Sequence, residues 1–369
     1  MSLLFQSIQF GSLALSNKIV IAPMCQYSAT LDGEVTYWHE QQWAKFALSG
    51  AGLCIVEATA VQPEGRISYK DLGLWNDQQA EKIQTLIEKV KSISPMPMAV
   101  QLAHAGRKAS SDLPWTGQAQ FKAEHENGWQ TVSASELTFA PQDQTPHSLT
   151  IDEIKKVIQD FASAAKRAVK AGFDLIEIHA AHGYLLHQFM SPISNKRTDE
   201  YGGNFENRIR LTLEVVQAIR AAVPENYPVG IRISATDWRD DIESWNVESS
   251  VELSKVLEAL GVVYIHASSG GLDINQKIDI HSGYQVPFAA AIKAHVKIPV
   301  IAVGLITEAM QAEGVLQYEQ ADAIGVARTI LYQPNWPWQA AAELGATIAV
   351  SPQYLRSQPH GLKDLFVSF

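Results

Sequence analysis

Cysteine is nearly absent from this chain of 369 residues, which carries only Cys25 and Cys54. Two thiols cannot supply the ligands of an all-cysteine iron–sulfur cluster, and they build no disulfide framework, so a reducing compartment, the cytoplasm, is the expectation. Basic charge is also short. Lys and Arg total 29 against 39 Asp and Glu, a formal net charge of −10. That is the wrong sign for a polyanion-binding surface, so nucleic acid is not an expected partner. The chain has no unbroken apolar run of the roughly 18 residues that a membrane-spanning helix needs. The N-terminus, MSLLFQSIQFGSLALSNK, lacks the basic start and long apolar core of a secretory signal. The zinc-helix pattern H-E-x-x-H is missing as well.

What is present is an alternation. Short runs rich in Val and Ile occur at 19–24, 52–60, 98–106, 173–181, 228–235, 262–270, 298–304 and 321–328, with helix-like stretches between them. Several of those stretches end at glycine or run into proline, as helix C-termini do. Strand–helix units repeated in this way predict an α/β fold, a (β/α)8 TIM barrel formed by residues 1–369 as a single domain. A doubly wound open sheet with an extra domain is the alternative. Residues 3–17 read as a small hairpin that would plug the bottom of the barrel. Residues 107–149, polar and rich in Pro, Gly and Ser, form a long loop after strand three, of the kind that serves as a lid.

Strand alternation says which residues share a face. Gln101 shares its parity with Ala99 and Ala103, Glu177 with His179, and Arg232 with Gly230 and Ser234, while branched apolar residues hold the opposite parity. The polar set therefore points into the barrel, where it is expensive without partners. That concentration predicts a site with a polar small-molecule ligand at the C-terminal mouth. A buried Glu177–Arg232 ion pair is the structural alternative. Gly304 at the end of strand seven, with Gly325 and Arg328 at the end of strand eight, fits a phosphate site: glycine admits backbone N–H groups and arginine adds a charge-assisted contact. The stretch IEIHAAHGYLLHQF (176–189) carries His179, His182 and Tyr184. Two readings of it stand side by side. One is a metal-dependent barrel hydrolase, with His104 or Glu177 as a further ligand; the acidic ligands of a two-metal site are missing for it. The other is a pair of imidazole donors gripping an oxygen, with the tyrosine as proton donor.

The blocks APMCQYSA (22–29), VEATAVQPEGRIS (56–68), QLAHAGRK (101–108) and DLIEIHAAHGYLLHQFMSPISNKRTDEYGGNFENRIR (174–210), with the late glycine–arginine turn, resemble the old yellow enzyme family of flavin-dependent ene-reductases. The resemblance is closest to its bacterial branch, typified by xenobiotic reductase A, and covers essentially the whole chain. It implies FMN held noncovalently at the mouth of a TIM barrel and reduced by NADPH or NADH. Pro23, Met24 and Cys25 would lie near the reactive flavin nitrogen, Ala58 and Gln101 at the pyrimidine end, and Arg232 beside the ring. Gly304 and the Ala327–Arg328 turn would hold the phosphate; relatives commonly have Gly-Arg at that turn. His179 and His182 would bind the carbonyl oxygen of an α,β-unsaturated substrate, Tyr27 would touch it, and Tyr184 would protonate its α-carbon. Arg356, in SPQYLRSQ, matches an arginine that enters a neighbouring subunit's active site, which implies a homo-oligomer, a dimer or tetramer. Metal has no part in this picture, and a dienoyl-CoA reductase is disfavoured by the cysteine count.

Overall fold

The computed structural model describes residues 2–117 and 119–369. Eight parallel strands close into a barrel: β1 (Ile19–Ile21), β2 (Leu53–Ala60), β3 (Met98–Ala103), β4 (Leu175–Ala180), β5 (Val229–Ser234), β6 (Ile265–Ser268), β7 (Val300–Ala302) and β8 (Ala323–Val326). Each pairs with its sequence neighbours, and β8 returns to β1 through Ile324–Ile19 and Val326–Ile21. The strands coincide with the apolar runs but stop sooner. β1 ends before Pro23, which has no N–H to offer the ladder.

Eight helices form the outer ring: α1 (Tyr37–Ala47), α2 (Asp77–Lys91), α3 (Ile151–Ala171), α4 (Phe205–Ala222), α5 (Val247–Ala259), α6 (Val286–Lys293), α7 (Ala309–Gln317) and α8 (Trp336–Glu343). Their ends are written locally. Thr150 and Glu153 form a reciprocal capping box at the start of α3, and Gly172 closes the helix at φ +91°. None of the helices is long and apolar enough to cross a membrane, among the described residues.

The two parities of the strands go to two cores. Val100, Leu102, Ile176, Ile178, Ile231 and Ile233 pack outward against the helices. Val20, Leu53, Ile55, Ala99, Leu175, Ile301 and Ala323 fill the lower interior together with Phe10 and Leu15. Those last two belong to an antiparallel hairpin, Ile8–Phe10 with Leu13–Leu15. It caps the barrel floor, with the Phe10 ring 4.7 Å from that of Tyr264. Above the apolar floor lies a polar layer. Glu177 accepts from Gln101 Nε2 at 2.8 Å and from Tyr264 OH at 3.0 Å, and lies 2.9 Å from His266 Nδ1. The Glu177–Arg232 ion pair is absent among the described residues, because the carboxylate is already spent on these three partners. At the mouth, the long loop after β3 carries two short paired strands, Val132–Ser133 and His147–Ser148.

Candidate active site

β4 delivers the first functional side chain and the turn after it delivers two more. His179 stands opposite Arg232 in the β4–β5 register. Its Nδ1 accepts the N–H of Ala181 at 3.2 Å, so the ring proton of the neutral imidazole sits on Nε2. His182, at φ +58°, has Nε2 2.7 Å from Ser268 Oγ. The His179 and His182 rings meet edge to face with centroids 5.1 Å apart, and the Tyr184 ring meets His179 the same way at 4.9 Å. The structure thus brings the whole predicted triplet together. Beside it, Tyr184, Tyr27 and Cys25 pack with Ile67, Ala105 and Trp129, and the lid residue Trp115 meets the Tyr27 ring edge-on at 6.1 Å.

Burial governs the protonation states here. It holds His179 and His182 well below the ordinary imidazole range, and the nearby Arg232 charge pushes the same way, so both are neutral near pH 7. The Tyr184 hydroxyl is pushed well above the usual phenol range by burial, with Cys25 and Asp71 adding to it. The Cys25 thiol is raised for the same reasons. His104, a further ligand in the metal reading, is forced down to about 4 by burial, and its Nδ1 is used by the Gly106 N–H at 3.0 Å. No three His, Cys, Asp or Glu side chains converge on a common point among the described residues.

A cavity of about 300 Å³ runs from His182 to the loops after β7 and β8; His182, Arg232, Ser268, Gly304, Ala327 and Arg328 line it. Gly304 sits at φ +124°, and a Cβ there would fall 2.7 Å from Gln285 Nε2. Ala327 has a negative φ, −115°, so the turn does not demand glycine for a left-handed backbone where relatives have it. Arg232 is buried, yet its Nε has no hydrogen-bond partner among the described residues. A second cleft of about 370 Å³ runs under the lid to Tyr184, past Ile67, Lys108 and Phe139. Arg356 lies elsewhere, exposed on the turn Pro352–Ser357.

Several residues of the site went unnoticed in the sequence. Ser268, Ser269, Tyr284 and Gln285 line the cavity, and Lys108 lies half-buried beneath Tyr184, its Nζ 5.2 Å from the ring centroid. Ser268 and His266 share the inward parity of β6, a signal as good as the one read on β3 to β5. Gln285 and Tyr284 come from a loop whose position has no periodic signature.

A parallel barrel with imidazole donors, a buried guanidinium and an Ala327–Arg328 turn at its C-terminal mouth matches the expected flavin-dependent TIM-barrel oxidoreductase. The comparisons agree. Residues 3–346 match the model of the NADH:flavin oxidoreductase / NADH oxidase family. The chain is 41% identical to an NADPH dehydrogenase of Geobacillus sp. (strain WCH70) over 96% of this chain and 98% of that protein. It is 42% identical to an NADH:flavin oxidoreductase of Gibberella zeae over 95% and 87%, respectively. Among solved structures, morphinone reductase superposes with a TM-score of 0.76 at 28% identity, covering 99% of this chain and 96% of that one. The chain belongs to the NADH:flavin oxidoreductase / NADH oxidase family and is an FMN-dependent oxidoreductase of the old yellow enzyme type, with a reduced nicotinamide as electron donor. The residues present fit the cofactor: a buried guanidinium whose Nε has no hydrogen-bond partner among the described residues, and a cavity lined by Gly304 and Gly325.

Proposed function

We propose that the enzyme reduces the activated C=C bond of α,β-unsaturated carbonyl compounds, and nitro compounds through the same donors. The observation that carries this reading is the triplet itself: the His179 ring lies 5.1 Å from that of His182 and 4.9 Å from that of Tyr184, two neutral imidazoles and a protonated phenol beside a cavity that suits FMN. Pro23, Met24, Cys25, Ala58, Gln101 and Arg232 would hold the flavin ring, and Gly304, Ala327 and Arg328 the phosphate.

FMN bound there would supply hydride chemistry between NADPH or NADH and the alkene's β-carbon. His179 donates from Nε2, the only nitrogen its backbone contact leaves free to donate. Ser269 Oγ donates to Gln285 Oε1 at 2.6 Å, while Ser268 Oγ is 3.3 Å from that oxygen and 2.7 Å from His182 Nε2. In our reading Ser268 gives its proton to Nε2, so His182 donates from Nδ1. Two such donors on the carbonyl oxygen draw electrons from the β-carbon and stabilise the enolate oxygen. Tyr184 keeps its proton at neutral pH and yields it to the α-carbon as that carbon becomes basic. Tyr27 borders the substrate. Arg356, outside its own mouth, would enter that of a neighbouring subunit in a dimer or tetramer. The unpaired cysteines suit the cytoplasm we propose for it, and residues 1–369 act as one domain.

The purified protein should be yellow and should gain a long-wavelength charge-transfer band on titration with p-hydroxybenzaldehyde. His182→Ala should weaken that binding about tenfold or more and leave the protein yellow; a colourless variant would overturn the role given to His182. Tyr184→Phe should slow 2-cyclohexenone reduction far more than flavin reduction by NADPH, and equal slowing would remove it as the proton donor.

A further inference from the structure

The turn that carries His182 and Tyr184 is tied down at each backbone polar group it offers. His182 N–H donates to Ser234 Oγ at 2.8 Å, and Lys108 Nζ donates to the His182 carbonyl at 2.9 Å. Gly183 N–H donates to His187 Nδ1 at 3.0 Å, and Gln188 Nε2 donates to the Gly183 carbonyl at 2.7 Å. The turn needs this restraint. His182 is a non-glycine residue at φ +58° and Gly183 follows at φ +74°, a conformation that persists only where its surroundings impose it. Gly183 also abuts the loop after β6, where an added Cβ would lie 2.1 Å from the Gly271 carbonyl oxygen.

His187, the third histidine of IEIHAAHGYLLHQF, has no part in the reaction as described, yet it is fully buried. Because Nδ1 accepts from Gly183, its proton sits on Nε2, which lies 2.9 Å from Asp237 Oδ1, a close polar contact that falls short of hydrogen-bond alignment. The other carboxylate oxygen accepts from Ser191 Oγ at 2.6 Å and from Trp245 N–H at 2.9 Å. A line of fixed contacts therefore runs from the segment after β5, through Asp237 and His187, to the peptide between two site residues. Burying a carboxylate and an imidazole is expensive compared with an apolar filler of the same shape, and the contact this pair makes on the site's side is that single N–H.

We propose that His187 and Asp237 are positioning residues: through the Gly183 N–H they fix the left-handed turn and so the aim of His182 and Tyr184. The proposal rests on the roles given to those two residues above.

Asp237→Asn tests it. Trp245 N–H and Ser191 hold an oxygen on their side, so the amide nitrogen falls opposite His187 Nε2. The ring proton is then driven to Nδ1, where it faces the Gly183 N–H donor to donor. The holoenzyme variant should keep its flavin and bind p-hydroxybenzaldehyde at least tenfold more weakly, with 2-cyclohexenone turnover falling in parallel. Amide deuterium uptake in a peptide spanning 181–186 should speed up. Adding His187→Asn, which puts an acceptor oxygen near the former Nδ1, should recover part of the affinity. A yellow Asp237→Asn protein with wild-type affinity and wild-type uptake overturns the proposal. If that variant does not fold, His187→Asn and His187→Leu are compared alone: weaker binding in the leucine variant supports the proposal, and equal binding overturns it. If the wild type gives no charge-transfer band, the roles of His182 and Tyr184 fail. Deuterium uptake then decides the turn restraint by itself, faster uptake supporting it and unchanged uptake overturning it.

Discussion

Two residues near the site show how little room single positions have. Gly183 combines a positive φ with a carbonyl 2.1 Å from where a Cβ would stand. The obstacle is backbone, so nothing flexible can yield. Gly183→Ala should lower stability by roughly 2 kcal/mol or more and abolish phenol binding, read by thermal melting and by titration. Asp71 has the opposite character. Burial, with Glu57 nearby, pushes its carboxyl up to about 7, against two backbone N–H bonds from Ile67 and Ser68 that lower it. A carboxyl raised in the native state holds a proton that the unfolded chain has released, so its contribution to stability is full below about pH 3.8 and is lost as pH rises through 7. Asp71→Asn imitates the protonated form. It should raise Tm at pH 8 by one or two degrees, from about 1 kcal/mol, and leave Tm at pH 4 unchanged.

At the level of elements, the hairpin and the barrel floor depend on each other. Phe10 and Leu15 are buried against Val20, Ile301 and Tyr264, so the hairpin is part of the interior core. Phe10→Ala leaves a cavity beneath the polar layer and should cost about 3–5 kcal/mol, measured by denaturant unfolding of the holoenzyme. Tyr264 links floor to site, since its ring packs on Phe10 and its hydroxyl donates to Glu177. The strands β3, β4 and β5 were legible, because a period of two separates their inward from their outward residues, whereas β2 carries a register shift between Val56 and Ala58. Gln101, Glu177, His179 and Arg232 could be placed inside the barrel on that ground alone. The partner of Glu177 could not. Parity puts Arg232 and His266 on the same inner surface and register sets them side by side, so only the side chains' paths across the barrel decide between them.

For the whole molecule, the buried imidazoles dictate the response to acid. His104 at about 4, with His179 and His182 also depressed by burial, refuse protons that the unfolded chain takes up below about pH 6.5. Unfolding therefore binds protons, and stability should fall as pH drops from 6.5 toward 4, an effect of three imidazoles that outweighs the opposite trend of Asp71. A Tm flat across that range would contradict the neutral-imidazole site. Arg356 belongs to this scale too. Its exposure on the turn Pro352–Ser357 predicts that Arg356→Ala weakens phenol binding only while subunits are associated, checked by titration alongside size-exclusion chromatography.

The sequence by itself determined the barrel, because eight apolar runs alternating with helical stretches have few other ways to bury themselves. It also placed the candidate donors, since parity and strand ends are local properties. What only the tertiary structure decided are the contacts that join distant segments: Glu177 to His266, Ser268 to His182, Asp237 through His187 to Gly183. Each depends on register and loop path across some 50 to 90 residues of chain, and no pattern within one segment encodes where the other will lie.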